Sequence, residues 1–215
     1  MNVEKRNFDE DAAAWDEHPA RIKLAQDIAD AIQSKRVLRS YMDIMDFGCG
    51  TGLLTLQLQP LVHSIVGIDS SQGMLDVFNA KIEKLKLANI RSVLVQYERG
   101  YSLIEKYHAI VSSMTLHHVK DIRPLVQQFY DTLLPSGFLC IADLDLDDGR
   151  FHDDNTGVFH FGFDRKKLRN IFKEAGFDSI QDIRAAVVVK PTRNGEMKSF
   201  AVFLMTGQKK SHEPT

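Results

Sequence analysis

Apolar positions along this chain switch between helical spacing and short β-branched runs. Side chains at Ile22, Leu24, Ala25, Ile28 and Ile32 recur at helical intervals, which predicts a helix near the start. Farther along, runs rich in apolar and β-branched residues predict strands at residues 42–47, 64–68, 92–97, 109–113 and 137–143. Helices are predicted between them at residues 53–59, 71–87 and 122–134. Such alternation favours a parallel sheet with helices on both faces.

The last third of the chain has a different pattern. Asp164 is suited to cap a helix that runs to Ala175, and Gly176 supplies a stop signal. Two further strands are predicted at residues 185–190 and 200–206, and the polar turn between them predicts an antiparallel pair. We therefore expect three parts: a helical cap at residues 1–40, a main domain at 41–207 and a disordered polar tail at 208–215.

Composition narrows the possible partners. The 215 residues carry a formal net charge of −2, and no basic face is concentrated enough to predict nucleic-acid binding. No apolar run approaches the ~20 residues of a membrane span, and the charged N-terminus does not look like a signal peptide. Only Cys49 and Cys140 are present, which suits a reducing compartment. We expect a cytoplasmic protein that uses neither nucleic acid nor membrane.

The most informative stretch joins the first predicted strand to the next helix. The strand ends at Asp46, and Gly48, Gly50 and Gly52 follow at every second position. Glycines allow a sharp turn and a close approach of backbone to ligand. The stretch differs from the dinucleotide fingerprint, because its third glycine comes one residue early, and no Lys-Ser/Thr pair follows as in a P-loop. A purely structural tight turn remains an alternative.

A second acid ends the second predicted strand. Asp69 comes 17 residues after Gly52, and a carboxylate at that place can accept hydrogen bonds from both hydroxyls of a ribose. The alternative is that Asp69 only caps the helix that begins near Ser71.

With these motifs the chain resembles the class I S-adenosylmethionine-dependent methyltransferases. The resemblance covers the acid-and-glycine pattern at 46–52, the strand end at Asp69, and the segments 110–119 and 133–137. It implies an α/β, Rossmann-like, doubly wound seven-stranded sheet of order 3-2-1-4-5-7-6 with strand 7 antiparallel. It also implies S-adenosylmethionine as cofactor, bound by Asp46, Gly48, Cys49, Gly50, Gly52, Asp69, Ser70, Met74, Gln96, Tyr97 and Ser113. The pair Gln96-Tyr97 departs from the acid that usually ends the third strand of this family.

The acceptor is expected beyond the carboxyl ends of strands 4 and 5. His117 and His160 are candidate general bases, although packing or a backbone hydrogen bond would also explain them. We expect Trp15, His117 and residues 159–161 to line the acceptor pocket, with residues 143–163 as a lid. No metal is expected, since the acidic loop matches no known ligand spacing.

The sequence thus predicts methyl transfer to a small-molecule acceptor by in-line displacement. Two alternatives remain: a non-catalytic scaffold that binds the cofactor, and a nicotinamide-dependent oxidoreductase, which the early third glycine disfavours.

Overall fold

The computed structural model describes residues 7–95 and 105–211, which build a seven-stranded sheet flanked by helices. The helices are α1 (Phe8–Asp11), α2 (Pro19–Ser34), α3 (Leu53–Leu58), α4 (Gln72–Leu85), α5 (Ile122–Thr132) and α6 (Arg165–Ala175). The strands are β1 (Asp43–Phe47), β2 (Ser64–Asp69), β3 (Ile90–Leu94), β4 (Tyr107–Ser113), β5 (Leu133–Leu144), β6 (Asp178–Pro191) and β7 (Met197–Gln208).

The sheet order is β3-β2-β1-β4-β5-β7-β6, which confirms the predicted topology. Strands β1 to β5 pair in parallel, whereas β7 runs antiparallel to both β5 and β6. Strand β1 lies between β2 and β4, so the chain reverses its direction of winding beside β1. In open α/β sheets, ligands bind in the crevice at the carboxyl ends of the strands at this point.

Two apolar clusters cover the two faces of the sheet. One face packs α5 and α6 through buried Phe129 and Phe172, and the other packs α2 and α3 through Ile28 and Leu58. The periodicity of the first helix is confirmed at Ala25, Ile28 and Ile32, which are buried. Ile22, in the same periodic series, lies near the start of the helix and is 43% exposed.

Local signals place the ends of several helices correctly. Asp164 accepts hydrogen bonds from the backbone N–H groups of Lys166 and Lys167 at the start of α6, and Gly176 ends that helix with φ of 104°. The hydroxyl of Ser71 accepts from the N–H of Met74 and caps α4. These caps satisfy backbone groups that a helix end leaves without an intrahelical partner.

The antiparallel pair is longer than the sequence predicts. Strand β6 begins at Asp178 instead of residue 185, because its first half is polar and lies at the sheet edge, where Asp182 pairs with Arg165 and Arg169. Strand β7 reaches Gln208, and the N–H of Lys209 donates to the carbonyl of Gly137 at 2.8 Å. The expected disordered tail therefore overlaps ordered residues at its start.

Candidate active site

The glycine turn between β1 and α3 is left-handed at all three glycines, with φ of +71° at Gly48, +53° at Gly50 and +82° at Gly52. A Cβ atom on Gly48 would collide with the side chain of Thr115, and one on Gly52 would collide with the ring of Phe78, each at well under 3.0 Å. Packing inside the protein thus explains these two glycines.

Gly50 is different, because no described residue fills the space that a side chain would take. Among the described residues a Cβ there would meet only the Sδ atom of Met74, at 4.0 Å. The backbone of Gly50 can therefore be approached closely by a ligand. A turn with a purely structural role would not require such an open approach to its backbone.

The carboxylate of Asp69 organises the neighbouring backbone. Its Oδ2 accepts from the N–H of Gly50 at 2.7 Å, and its Oδ1 accepts from the N–H of Ser71 at 2.9 Å. Burial raises the pKa of Asp69, and the backbone hydrogen bonds oppose that effect. An ionised carboxylate has about four acceptor positions, so capacity remains beside these bonds for a hydroxyl of a ribose. The alternative role considered for Asp69 was to cap α4. The residue that caps this helix is Ser71.

Asp46 lies fully buried beneath the turn, 1% exposed. Its Oδ2 accepts a hydrogen bond from the hydroxyl of Thr55 at 2.6 Å. Burial raises the pKa of Asp46 to about 7, with Thr55 lowering it and the charge of Asp69 raising it further. A cationic group bound nearby would favour the ionised form of this carboxyl.

The N-terminal segment closes on the same loops through two acids that the sequence does not single out. The hydroxyl of Thr51 donates to Asp16 at 2.6 Å, and Lys81 forms an ion pair with the same carboxylate. Asp9 accepts from the hydroxyl of Ser71 and, at 2.8 Å, from the N–H of Gly73. The spacing of these acids in the sequence holds no signal for such distant partners.

The other predicted cofactor residues occupy different environments. Met74 is buried beside Gly50, Ser70 is exposed, and Ser113 is partly exposed at the end of β4. Cys49 is buried, and burial raises the pKa of its thiol well above the ordinary value, which suits packing rather than reactivity. Gln96 and Tyr97 lie outside the described residues.

On the acceptor side, His117 is buried and held at both ring nitrogens. Its Nδ1 lies 2.7 Å from Oδ1 of Asp143, and its Nε2 lies 3.1 Å from Nε2 of His152. Burial would raise the pKa of Asp143, but the hydrogen bonds and charge of His117 hold it below its usual value. Sequence reasoning did not single out Asp143 or His152 as site residues, because they lie 26 and 35 positions from His117.

The expected pocket wall is brought together only in part. Nε2 of His160 donates to the carbonyl of Val119 at 2.9 Å, and the ring of His160 lies beside that of Phe163. Phe161 is 46% exposed, and its place in an apolar pocket wall stays a prediction. Trp15 contacts Phe8, which in turn packs edge-on against His118. The backbone N–H groups of Phe159 and His160 both donate to the carbonyl of His117.

The glycine turn, Asp46 and Asp69 all lie beside β1, where the winding of the sheet reverses. This arrangement is typical of α/β proteins that bind a nucleoside. A model of the methyltransferase domain matches residues 17–182 of the chain. The chain therefore belongs to the class I S-adenosylmethionine-dependent methyltransferases, and S-adenosylmethionine is its cofactor.

Two curated relatives extend this finding. The chain is 34% identical over 163 residues to an uncharacterized methyltransferase of Schizosaccharomyces pombe, a match that covers 69% of this chain and 57% of that protein. It is 26% identical over 150 residues to a malonyl-[acyl-carrier protein] O-methyltransferase of Calditerrivibrio nitroreducens, covering 66% and 54%. The chain thus spans little more than half the length of these relatives.

Solved structures share the fold at low identity. The YcgJ protein of Bacillus subtilis has a TM-score of 0.69 at 15% identity, covering 86% of this chain and 99% of that one. The phosphoethanolamine N-methyltransferase 2 of Haemonchus contortus, in complex with S-adenosyl-L-methionine, has a TM-score of 0.64 at 16% identity and covers 81% and 50%. In the part of the chain that the structure describes, no helix is long and apolar enough to cross a membrane.

Proposed function

We propose that this protein transfers a methyl group from S-adenosylmethionine to a small-molecule acceptor by in-line displacement. The observation that carries the cofactor half of this proposal is the open approach to Gly50 among the described residues, beside the carboxylate of Asp69, which has acceptor capacity beyond its backbone hydrogen bonds. These residues suit the adenosine part, and buried Asp46 suits the cationic amino group.

The cofactor supplies a methyl group that is already activated, so the chain has mainly to align the acceptor and exclude water. The residues available for this are the segment around Trp15 and the long loop between β5 and α6. The loop is tied to the turn after β4 by the hydrogen bonds from Phe159 and His160 to His117. A site that is covered on one side by the segment around Trp15 and on another by this loop favours a small acceptor. A polymer would have to lie across an open surface.

The assignments of His117 and His160 as general bases stay predictions. The hydrogen bonds of the two rings bear on how each could act. His117 is engaged by Asp143 and His152, which suits a positioning group more than a base that must reach the acceptor. His160 uses Nε2 to contact Val119, so a base at this position would act through Nδ1. Methyl transfer needs a base only where the acceptor must lose a proton.

The test has two stages. Titration calorimetry with S-adenosylmethionine should give one site per chain, and the absence of heat or thermal stabilisation at millimolar cofactor would contradict the proposal. Release of S-adenosylhomocysteine is then followed across a metabolite library. Cofactor binding without turnover on any acceptor, including acyl-carrier proteins, would support the non-catalytic scaffold instead. Cytoplasmic location and the lack of a nucleic-acid partner also stay predictions.

A further inference from the structure

Three histidines from two distant segments meet beside the acceptor side of the sheet. His117 and His118 lie in the turn after β4, and His152 lies in the loop after β5. Each offers a ring nitrogen, and the three nitrogens lie within 4.8 Å of one another. His117 is buried and the other two are partly buried, so this is an enclosed group and not three exposed side chains.

Hydrogen bonds assign the hydrogen to Nδ1 in two of the three rings. Nδ1 of His118 lies 2.8 Å from the carbonyl oxygen of Gly157, which can only accept, so Nδ1 carries the hydrogen. Nδ1 of His117 donates likewise to Asp143. In their neutral forms both rings therefore bear a lone pair on Nε2, which is the form that binds a metal ion.

The distance between His117 and His152 suits a shared cation. Zinc–nitrogen bonds of about 2.0–2.1 Å place two tetrahedral ligand nitrogens about 3.3 Å apart. Nε2 of His117 and Nε2 of His152 lie 3.1 Å apart. The same two atoms can form a hydrogen bond without a metal, in which case His152 donates.

A supporting shell surrounds the group, as metal-binding histidines require. The carboxylate of Asp143 is fully buried and also accepts from the N–H of Leu144 at 2.7 Å, which fixes its direction toward His117. Phe8 packs edge-on against His118, and Phe151 against His152, at ring-centroid distances of 5.1 and 4.9 Å.

We propose that His117, His118 and His152 bind one divalent transition-metal ion of the zinc class, with Asp143 as the group that orients His117. Three imidazoles suit zinc better than magnesium or calcium, which prefer oxygen. Among the described residues no further His, Cys, Asp or Glu joins the three. A three-histidine set leaves the fourth tetrahedral position for water or an exogenous ligand, as in catalytic zinc sites. The proposal reverses the sequence-based expectation of no metal, and it does not depend on methyl transfer.

The experiment uses tag-free full-length protein, stripped with a chelator and titrated with Zn²⁺ against a chromophoric competitor. We expect one zinc ion per chain. His152→Ala should weaken zinc binding at least tenfold, because it removes one of the three proposed ligands. Since His152 lies in a loop, the substitution should leave the sheet in place. The matched control is His63→Ala, which removes an exposed histidine that pairs with Asp43 at the opposite end of the strands and should leave the affinity unchanged.

Cobalt provides a second measurement that needs no variant. Co²⁺ added to the stripped wild-type protein should give the intense visible absorption of a tetrahedral site, and X-ray absorption should show imidazole scattering from three rings. Zinc binding of equal strength in His152→Ala, no stoichiometric binding, or fewer than three imidazoles in the absorption spectrum would each overturn the proposal. His117 and His152 would then be a hydrogen-bonded pair that extends from Asp143.

Discussion

Adding one methyl group at Gly50 separates the needs of the cofactor from the needs of the fold. In Gly50→Ala the new Cβ meets only Met74 Sδ among the described residues, at 4.0 Å, so none of these residues resists it. The left-handed φ of +53° costs about 1–2 kcal/mol for a residue with a Cβ. The reduced freedom of the unfolded chain returns about 0.4–1 kcal/mol. We expect a net loss of about 1 kcal/mol in the free energy of unfolding.

The effect on the cofactor should be larger than the effect on stability. The methyl group would occupy the space through which a ligand approaches the backbone of Gly50, while the hydrogen bond from its N–H to Asp69 is kept. We expect the dissociation constant for S-adenosylmethionine to rise at least tenfold, which corresponds to about 1.4 kcal/mol.

Two other glycines provide the controls. Gly195 has φ of +82°, and no atom of the described residues lies within 4 Å of the place that a new methyl group would take. Gly195→Ala therefore has the backbone cost alone and should not affect cofactor binding. Gly52→Ala would collide with buried Phe78, which adds about 1–3 kcal/mol of overpacking to the same backbone cost.

The assay combines urea unfolding with titration calorimetry on all three variants. The expected order of stability is Gly195→Ala and Gly50→Ala together, with Gly52→Ala well below them. If Gly50→Ala binds S-adenosylmethionine as tightly as Gly195→Ala does, the open side of Gly50 does not face the cofactor.

Three further predictions concern the acids and the remaining histidine. The pKa of Asp46 is about 7 in the folded protein, above its unfolded value, so stability should fall as pH rises from about 4 to about 7, by at most about 1.4 kcal/mol per pH unit. Asp46→Asn should remove that slope in urea unfolding, and a slope that persists would reassign it. Asp69→Asn should weaken cofactor binding by ten- to a hundredfold, since charge-assisted hydrogen bonds are worth about 1.5–3 kcal/mol; calorimetry showing an unchanged affinity would remove Asp69 from the site. Asp69→Ala is a poorer probe, because it also strands the N–H groups of Gly50 and Ser71 and should destabilise the fold. His160→Ala should keep the cofactor affinity and lose turnover, and full turnover would leave His160 with a structural role, through its hydrogen bond to Val119 and its contact with Phe163.

Most of the elements and the glycine turn could be predicted from the sequence because their signals are local, whereas the sheet order was predicted from the resemblance to a family. A buried strand, a glycine turn and a helix start are each encoded by neighbouring residues, as at residues 43–58. Backbone sterics and hydrogen-bond needs act over a few positions, so the turn at Gly48, Gly50 and Gly52 and the strand end at Asp69 could be predicted directly. The prediction for strand β6 is too short because its polar first half lies at the sheet edge, where alternating burial is weak.

Only the tertiary structure decided which distant side chains meet. The pairing of β4 with β5 brings Asp143 to His117, and the loop that follows brings His152 to the same place. Docking of the N-terminal segment brings Asp16 to Thr51 across 35 residues. These contacts depend on the register of strands and the course of a loop, and neither leaves a periodic signal along the chain. The glycine turn therefore depends on neighbouring residues and can be predicted from the sequence. The three-histidine group forms only once the strands have paired.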